Sequence, residues 1–495
     1  MNSGQLAADP QLRRVLDKLL AIRAEMIARE ETLGSVGDRP KSRCNLLHYL
    51  ALRQRDMRPI QETLARQGLS SLGRCEAHTL ASVDAVIHVL ARLLGVDLAL
   101  PPSVRAPGFD EGPAILEANA RALFGSPPPN RAVRIMVTLP SEAGDAPSFV
   151  SELVAQGTNA VRINCAHDDV QVWGRMVEHV RRAARESGRR CIVHFDLAGP
   201  KLRTGATVRP IPLRAGDEIV ITRSAGPEAS NDAPPRIPCT LPIALERVQT
   251  GERVWLDDGK LGGFVEKVSK EGVSVRINYA RKGHHKLLAD RGINFPESAI
   301  DINGFTEKDR SDLAFVARHA DSVGLSFAQR AADVRAVQQR LAELGAPRIG
   351  LVLKIETRRG FEALPRLLLE TFGEHPVGVM IARGDLALEV GYERLAEVQE
   401  EVLWLCEAAH VPVIWATQVL ETLSKNGMPT RAEITDAAMS QRAECVMLNK
   451  GAHIVDSVRI LNDILQRMEA HQRKKSATLR PLRVSASPDD ESPKR

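Results

Sequence analysis

Charged and polar side chains follow two apolar segments of the sequence, at the points where these segments end. They are Arg162, Asn164 and His167 in VRINCAH, and Asp196, Lys201 and Arg203 in FDLAGPKLRTG. Cationic side chains grouped in this way bind phosphate, because they form strong charge-assisted hydrogen bonds with its oxygens. The pattern therefore predicts a site for a phosphorylated small molecule.

Two carboxylates and a lysine follow two later apolar segments. Lys354 and Glu356 lie in KIE, and Asp385 directly follows Gly384 in ARGDL. A few hard oxygen ligands, with room for substrate oxygens and water, favour Mg²⁺ or Mn²⁺ over a dedicated calcium site. A further apolar segment ends in WATQVLET, which presents Thr417 beside Gln418, and the Thr417 hydroxyl is a candidate proton donor or relay.

Each of these residues alone also has a structural interpretation. A single lysine or arginine after a strand is commonly a solvated loop charge, and His167 alone could cap a helix. Glu389 and Arg431 are interpreted as a structural ion pair. The functional interpretation is favoured because such residues occur together, at the ends of five apolar segments, with matching chemistry.

Apolar segments of β-strand type alternate with amphipathic helical segments through this part of the chain. Eight strands are predicted, in RIMVTL, NAVRIN, CIVHF, SVGLSF, IGLVLK, GVMIA, PVIWA and CVMLN. Eight βα units whose strands are apolar on both faces favour a closed parallel barrel over an open sheet. In such a barrel the strands' carboxyl ends form one rim, so the candidate residues should converge there.

The predicted fold class is α/β, a (β/α)8 TIM barrel with an inserted small β-barrel lid domain and an N-terminal helical domain. Residues 1–128 are predicted to be the helical module and a Pro/Gly-rich linker. The barrel occupies 129–204 and 291–472, separated by short strands and turns at 205–290 that form the lid. Residues 473–495, polar and rich in Ser and Pro, are predicted to be disordered.

Composition is that of an ordinary globular chain. Of 495 residues 43% are hydrophobic and 26% charged, and the net charge of +5 is spread among interleaved charges of both signs. Nucleic acid is therefore not an expected partner. The sequence has no apolar signal-peptide core, no membrane-spanning run and no C-x-x-C pair, so we expect a cytoplasmic protein with reduced cysteines and no membrane partner.

Longer motifs between residues 131 and 470 are distinctive as ordered strings. They are RINCAH, FDLAGPKLRTG, DDGK, RGINFP, EKDRSDLAF, SFAQRAADV, KIETRRGF, MIARGDLALEV, PVIWATQVLE and PTRAEITDAA. Through them the chain resembles the pyruvate kinase family. The resemblance implies a glycolytic phosphotransferase that moves the phosphoryl group of phosphoenolpyruvate to ADP, giving pyruvate and ATP.

The resemblance also implies roles for individual residues. Glu356 and Asp385 would hold the divalent metal, and Lys354 would help it to neutralise the transferring phosphoryl group and the enolate. Arg162 would bind the substrate phosphate. The implied nucleotide-binding residues are Asn164, His167 and Arg203. The substrate carboxylate would be received by the amides of Gly384 and Asp385 at a helix start, and Thr417 would complete that pocket and assist protonation.

The sequence departs from the family at the residues that form the potassium site. The family's potassium site usually takes an Asn, a Ser, an Asp and a Thr, whereas here Asn164 and Asp196 are accompanied by Ala166 and Leu197. Lys201 replaces the Glu of potassium-dependent members. We therefore predict that its ammonium substitutes for the ion and that activity does not require potassium.

Other departures leave alternatives open. The first strand ends in VTLPSE and the eighth in MLNKGAH, where the family usually has T-I-G-P-A-S and M-L-S-G-E-T-A, so the nucleotide side should differ. The C-terminal regulatory domain is expected to be absent, and the helical module is expected to serve oligomerisation or partner binding. One alternative is a metal-dependent pyruvate aldolase or lyase, which Arg203 and the lid disfavour; another is a catalytically weak phosphoenolpyruvate-sensing protein.

Overall fold

The computed structural model describes the chain in several ranges. These are residues 9–31, 40–207, 209–224, 233–300, 303–373 and 375–478. The first elements are helices α1 (Pro10–Glu31), α2 (Pro40–Arg53), α3 (Arg58–Arg66), α4 (Thr79–Leu93) and α5 (Glu111–Phe124). Apolar residues three or four apart, such as Leu12, Leu16 and Leu19, line one face of α1 and pack with Val83 and Ile87 of α4. These helices therefore have a core of their own.

The barrel begins after these helices and is interrupted once. Its first part consists of β1 (Arg134–Thr138), α6 (Pro147–Ala155), β2 (Ala160–Asn164), α7 (Val170–Ser187) and β3 (Ile192–Asp196). The lid follows, with β4 (Ile211–Arg214), β5 (Glu218–Thr222), β6 (Arg236–Pro238), β7 (Arg253–Leu256), β8 (Leu261–Val268), β9 (Gly272–Ala280), β10 (His284–Leu287) and β11 (Ile293–Asn294).

The lid has its own sheet and its own apolar core. Its strands order as β11-β7-β8-β9-β5-β6, and β4 pairs with β10 in a separate ladder. Residues Ile293 and Asn294 pair with β7, so the lid sheet extends past the predicted boundary at residue 290. The chain therefore returns from the lid to the barrel after Asn294.

The second part of the barrel restores the strand and helix alternation. It consists of α8 (Glu307–His319), β12 (Ser322–Leu325), α9 (Ala331–Glu343), β13 (Gly350–Ile355), α10 (Arg358–Thr371), β14 (Val377–Ala382), α11 (Arg383–Val390), α12 (Leu395–Ala408), β15 (Val413–Ala416), α13 (Glu421–Asn426), α14 (Arg431–Met439), β16 (Cys445–Leu448) and α15 (Ile454–Glu469). The parallel strands β1, β2, β3 and β12 to β16 close on themselves, with β16 pairing β1. The predicted barrel and its eight strands are confirmed.

Helix α5 fills the end of the barrel opposite the rim. Its residues Leu123 and Phe124 pack with the inward-facing Met136, Met380 and Met447 of three strands. Parallel barrels need such filling, because their interior is a packed core and not a channel. The structure therefore places α5 with the barrel, whereas the sequence analysis grouped it with the module at residues 1–128.

The helical module is bonded to one side of the barrel. Leu46 and Tyr49 of α2 belong to the main barrel core. The buried side chain of Asn45 donates to the carbonyl oxygen of Ala408, at the end of α12, at 2.8 Å. The buried His410 ring, just beyond α12, contacts Ser42 Oγ of α2 at 2.9 Å. The module and the barrel therefore share a buried polar interface.

The last described residues form a short ladder. Strands β17 (Gln472–Arg473) and β18 (Ser476–Ala477) pair antiparallel, so regular structure continues past the predicted start of the tail at residue 473. The rest of that predicted tail, 479–495, lies outside the described residues. Among the described helices, none has the combined length and apolar character needed to span a bilayer.

Candidate active site

Lys354, at the carboxyl end of β13, lies at the centre of the rim. Its Nζ is 3.0 Å from Asp196 Oδ2 and 3.1 Å from Glu356 Oε1, and it donates to Ser326 Oγ at 2.7 Å. Burial disfavours the charged amine, but the two carboxylates outweigh it and raise the pKa of Lys354. A fixed ammonium group is therefore present at the rim at neutral pH.

Arg162, at the end of β2, shares the same carboxylate. Its Nε and Nη2 donate to Asp196 Oδ2 at 2.8 and 2.5 Å, and Nη1 donates to Thr138 Oγ1 at 3.2 Å. Asp196 is fully buried; burial alone would raise its pKa, but Lys354 and Arg162 lower it overall. Asp196 therefore holds two cations side by side, a role that the sequence analysis did not assign to it.

Glu356 is a buried carboxylate beside this cluster. Its Oε2 accepts a hydrogen bond from the Phe327 amide at 2.8 Å. Burial raises the pKa of Glu356, and the negative charges of Asp385 and Asp196 add to that effect although Lys354 opposes it. A positive charge placed near Glu356 and Asp385 would therefore be strongly favoured.

Asp385, in the first turn of α11, contacts a lysine from the lid connection. Lys201 Nζ lies 2.9 Å from Asp385 Oδ1 and 3.0 Å from Oδ2, and 3.6 Å from Asp258 Oδ1 of the lid. Burial would lower the pKa of Lys201, but Asp385 and Asp258 raise it overall. Lys201 therefore links the lid to the barrel carboxylate.

Two carboxylates are the acidic ligands that the rim offers to a metal. Among the described residues, no group of three or more His, Cys, Asp or Glu side chains is arranged to hold an ion. Mg²⁺ commonly uses one or two carboxylates and completes its shell with water and substrate phosphate oxygens. The two Asp385 oxygens lie 2.9 and 3.0 Å from Lys201 Nζ, so an ion bound there would share this carboxylate with the lysine. Glu356 and Asp385 therefore fit such an ion.

Thr417 follows β15 in a strained conformation beside α11. Its φ of 62° is in the left-handed region, which is unfavourable for a β-branched residue. Its Oγ1 accepts a hydrogen bond from the Gly384 amide at 2.8 Å, and its carbonyl accepts one from Arg383 Nη2 at 2.5 Å. Arg383 also lies over the Trp415 ring, 4.8 Å from its centroid. The hydroxyl of Thr417 is therefore fixed at the start of α11.

Comparison with known proteins agrees with this geometry. Residues 130–454 match the family model described as pyruvate kinase, barrel domain. The chain belongs to the pyruvate kinase family. Pyruvate kinase of Bacillus licheniformis is 30% identical over 369 residues, covering 73% of this chain and 61% of that protein. That of Geobacillus stearothermophilus is 31% identical, covering 68% and 57%, and that of Schizosaccharomyces pombe is 30% identical, covering 70% and 67%.

The chain spans about three fifths of the length of the two bacterial relatives. The family predicted from the sequence motifs is confirmed by these matches. The helices before residue 130 lie outside the region matched by the family model.

The predicted nucleotide residues of this family member are only partly brought together. Asn164 and His167 line a cavity of about 250 Å³ next to Arg162, together with Lys425 and Lys450. Burial lowers the pKa of His167, and the positive charge of Lys450 lowers it further. The sequence analysis missed both lysines. Lys450 stands in the altered MLNKGAH segment, which was a usable signal, whereas Lys425 is brought there only by the fold.

Arg203 lies at the base of the lid and does not line that cavity. Its Nη1 donates to the Asp290 carbonyl at 3.1 Å and lies 3.5 Å from Asp290 Oδ1. Glu389, interpreted from the sequence as a partner of Arg431, instead accepts from Asn294 Nδ2 at 3.1 Å. Arg203 and Glu389 thus both contact the segment that connects the lid to the second part of the barrel.

Proposed function

We propose that the chain is a cytoplasmic pyruvate kinase, which transfers the phosphoryl group of phosphoenolpyruvate to ADP and forms pyruvate and ATP. The observation that carries the proposal is the pairing of Lys354 and Arg162 on one buried oxygen of Asp196. Two preorganised cations beside two carboxylates suit a phosphoryl group and an adjacent enolate. Little reorganisation would then be needed when charge develops on the substrate.

Arg162 and Lys354 have different parts in this proposal. The Arg162 guanidinium binds the phosphate of phosphoenolpyruvate through the Nη N–H groups that Asp196 and Thr138 leave unused. The Lys354 ammonium faces the bridging oxygen, where negative charge accumulates as the bond to phosphorus breaks. Glu356 and Asp385 hold Mg²⁺ or Mn²⁺, which supplies further neutralisation of phosphoryl and enolate oxygens when bound.

The start of α11 receives the substrate carboxylate. The amides of Gly384 and Asp385 lie in the first turn of this helix, where the helix dipole favours an anion. The Gly384 amide already donates to Thr417 Oγ1, so the Asp385 amide is the one proposed to receive the carboxylate. The Thr417 hydroxyl accepts from the Gly384 amide, so its own proton is free to point at the substrate. Thr417 then donates or relays the proton that converts enolate to pyruvate.

The nucleotide is proposed to bind on the side of β1, β2 and β16. Asn164 and His167 contact it in the cavity of about 250 Å³, where Lys425 and Lys450 provide cationic charge for its phosphates. Arg203 is proposed to contact it from the base of the lid, outside that cavity. Lys201 supplies the positive charge that potassium supplies in other members, so potassium is not required. Copies of the chain are proposed to associate through the helical module.

The direct test is an assay of pyruvate formation from phosphoenolpyruvate and ADP with Mg²⁺, in sodium and in potassium buffers. Lys354→Met serves as the blank, because it removes the central ammonium and keeps the side-chain length. Equal turnover in the two buffers, abolished in the blank, supports the proposal. Absence of turnover in both buffers would overturn it.

One observation favours a second candidate, a phosphoenolpyruvate-sensing protein. The helical module forms hydrogen bonds with the end of α12. Helix α12 directly follows α11, which carries Asp385. A ligand at the rim therefore lies one helix away from the module interface. Calorimetric binding of phosphoenolpyruvate without any turnover would favour this candidate over the kinase.

A further inference from the structure

His194 is a fully buried histidine in the interior of the barrel, directly below the rim. It stands on β3 between Ile192, which belongs to the interior cluster of the barrel, and Asp196. Residues two apart on a strand point to the same face, so all three side chains are directed into the barrel. His194 therefore forms the layer immediately beneath the carboxylate that holds Arg162 and Lys354.

The two ring nitrogens of His194 face different groups. Nδ1 lies 2.9 Å from Ser322 Oγ of the neighbouring strand β12, and Nε2 lies 3.8 Å from Asp196 Oδ1. Burial lowers the pKa of His194, so the ring is neutral and carries one proton. A lone pair on Nε2 would repel the carboxylate, whereas the Ser322 hydroxyl can donate to a lone pair on Nδ1. The surroundings therefore favour the tautomer with the proton on Nε2.

The two oxygens of Asp196 have unequal surroundings. Oδ2 contacts both Arg162 and Lys354, whereas the buried Oδ1 has no hydrogen-bond partner among the described residues. His194 Nε2 is also buried and unpartnered within the part of the chain that the structure describes. The 3.8 Å between them exceeds a hydrogen bond, but an N–H dipole directed at a buried anion still stabilises it in a medium of low dielectric constant.

Gly324 of β12 leaves the room for this arrangement. It is the register partner of Asp196 in the barrel. A Cβ atom at this position would lie 2.3 Å from Asp196 Oδ1 and 3.0 Å from His194 Nε2. Since the first distance is well inside van der Waals contact, a larger residue would displace the carboxylate. The glycine thus lets the histidine and the carboxylate face each other directly.

We propose that His194 is a positioning residue for phosphoryl transfer, whose Nε2–H group faces Asp196 Oδ1 and holds the carboxylate so that Oδ2 contacts both Arg162 and Lys354. Without this group Oδ1 would be a buried acceptor facing no donor. The carboxylate would then gain by turning its oxygens, and the two cations would no longer share one atom. The kinetic consequence rests on the proposed function, whereas the tautomer and its contact do not.

Nitrogen NMR of the full chain, labelled with isotope in its histidine rings, tests the tautomer directly. The signals of His194 are those that the His194→Gln variant lacks. We expect a neutral ring at neutral pH, with the proton on Nε2 and a lone pair on Nδ1. A ring protonated on Nδ1 alone, or on both nitrogens, would overturn the proposal whether or not the chain has kinase activity.

Two variants separate the N–H group from the packing of the ring. His194→Gln can place an amide N–H near the position of Nε2, whereas His194→Leu fills similar space without a donor. Both variants lose the contact of Nδ1 with Ser322. We expect kcat for pyruvate formation to fall by about 30-fold or more in His194→Leu and by less than about fivefold in His194→Gln. Equal loss in the two variants would refute the positioning role, because it would follow from what both have lost.

Phosphoenolpyruvate binding gives a second comparison that needs no turnover. Calorimetric titration should show about tenfold weaker binding to His194→Leu than to His194→Gln, because the phosphate meets Arg162 and Lys354 out of place. Equal affinities would contradict the proposal. An original chain with the expected tautomer and the expected difference in affinity, but without turnover, would refute only the kinase reaction.

Discussion

Lys354 and Asp196 form a buried ion pair at the barrel rim, with 3.0 Å between Nζ and Oδ2. The same oxygen accepts two hydrogen bonds from Arg162, so one carboxylate determines the position and the charge of both cations. Removal of that charge would leave two cations facing each other at a buried site, which is costly. The pair therefore orders the site.

Asp196→Asn tests this relationship through the pH dependence of turnover. The amide keeps the shape but lowers the pKa of Lys354, so we expect pyruvate formation to fall by about 100-fold and its alkaline limb to move to lower pH. Asp145→Asn is the control, since that carboxylate is 77% exposed. An unchanged pH profile in Asp196→Asn would contradict the proposed role.

Thr417 offers a test of the pocket at the start of α11. Thr417→Val keeps the shape but removes the acceptor of the Gly384 amide and the proton donor, so kcat should fall by about 100-fold. Thr417→Ser keeps the hydroxyl and should retain most of the activity. Steady-state kinetics of the two variants compare these outcomes, and equal kcat values in both would rule out a role for the hydroxyl.

Lys201→Glu tests the substitution for potassium. The change removes the ammonium that lies 2.9 Å from Asp385 and adds a second negative charge there. We expect activity in sodium buffer to fall by at least about tenfold, because the added carboxylate repels substrate phosphate. The readout is the ratio of rates in potassium and sodium buffers. A variant equally active without potassium would refute the idea.

The sequence predicted the barrel and most of the rim for a simple physical reason. Apolar strands end where polar residues begin, and parallel strands bring these ends to one place, so Arg162, Lys354 and Glu356 were identifiable before the fold was known. Asp196 was also named as a rim residue, but its sharing by Arg162 and Lys354 was not predicted, because these partners come from β2 and β13. Helix periodicity likewise predicts that one face of a helix is buried, but it does not identify the element that packs against that face. Hence the packing of α5 against the end of the barrel opposite the rim was missed.

The interface between the helical module and the barrel is stabilised by Asn45. This fully buried side chain donates to the carbonyls of Glu76 and Ala408, and its Oδ1 accepts from the Thr79 amide at 2.8 Å. Asn45→Ala removes a partner from the Ala408 carbonyl and the Thr79 amide and leaves the Glu76 carbonyl to the Thr79 hydroxyl at 3.3 Å, so the free energy of unfolding should fall by about 3 kcal/mol. Urea denaturation measures it. Arg66→Ala, at a side chain 74% exposed, should change it by less than about 0.5 kcal/mol.

His410 makes the same interface dependent on pH. The ring is fully buried between Ser42 Oγ and the Ala77 carbonyl, and burial lowers the pKa of His410 to about 4. In the unfolded chain its pKa is about 6.5, so between these values the unfolded state binds the extra proton. The contribution to stability is therefore complete above pH 6.5 and is lost as pH falls towards 4.

His410→Gln isolates this contribution from other groups that titrate in the same range. The variant lacks the protonation equilibrium of His410, so only the original chain loses this contribution as pH falls. The difference in unfolding free energy between the original chain and the variant should therefore decrease by about 3 kcal/mol from pH 7 to pH 4. His88→Gln, a substitution of an exposed histidine, is the matched control. Urea denaturation at several pH values measures both. Parallel curves for the original chain and His410→Gln would show that the buried ring does not titrate as proposed.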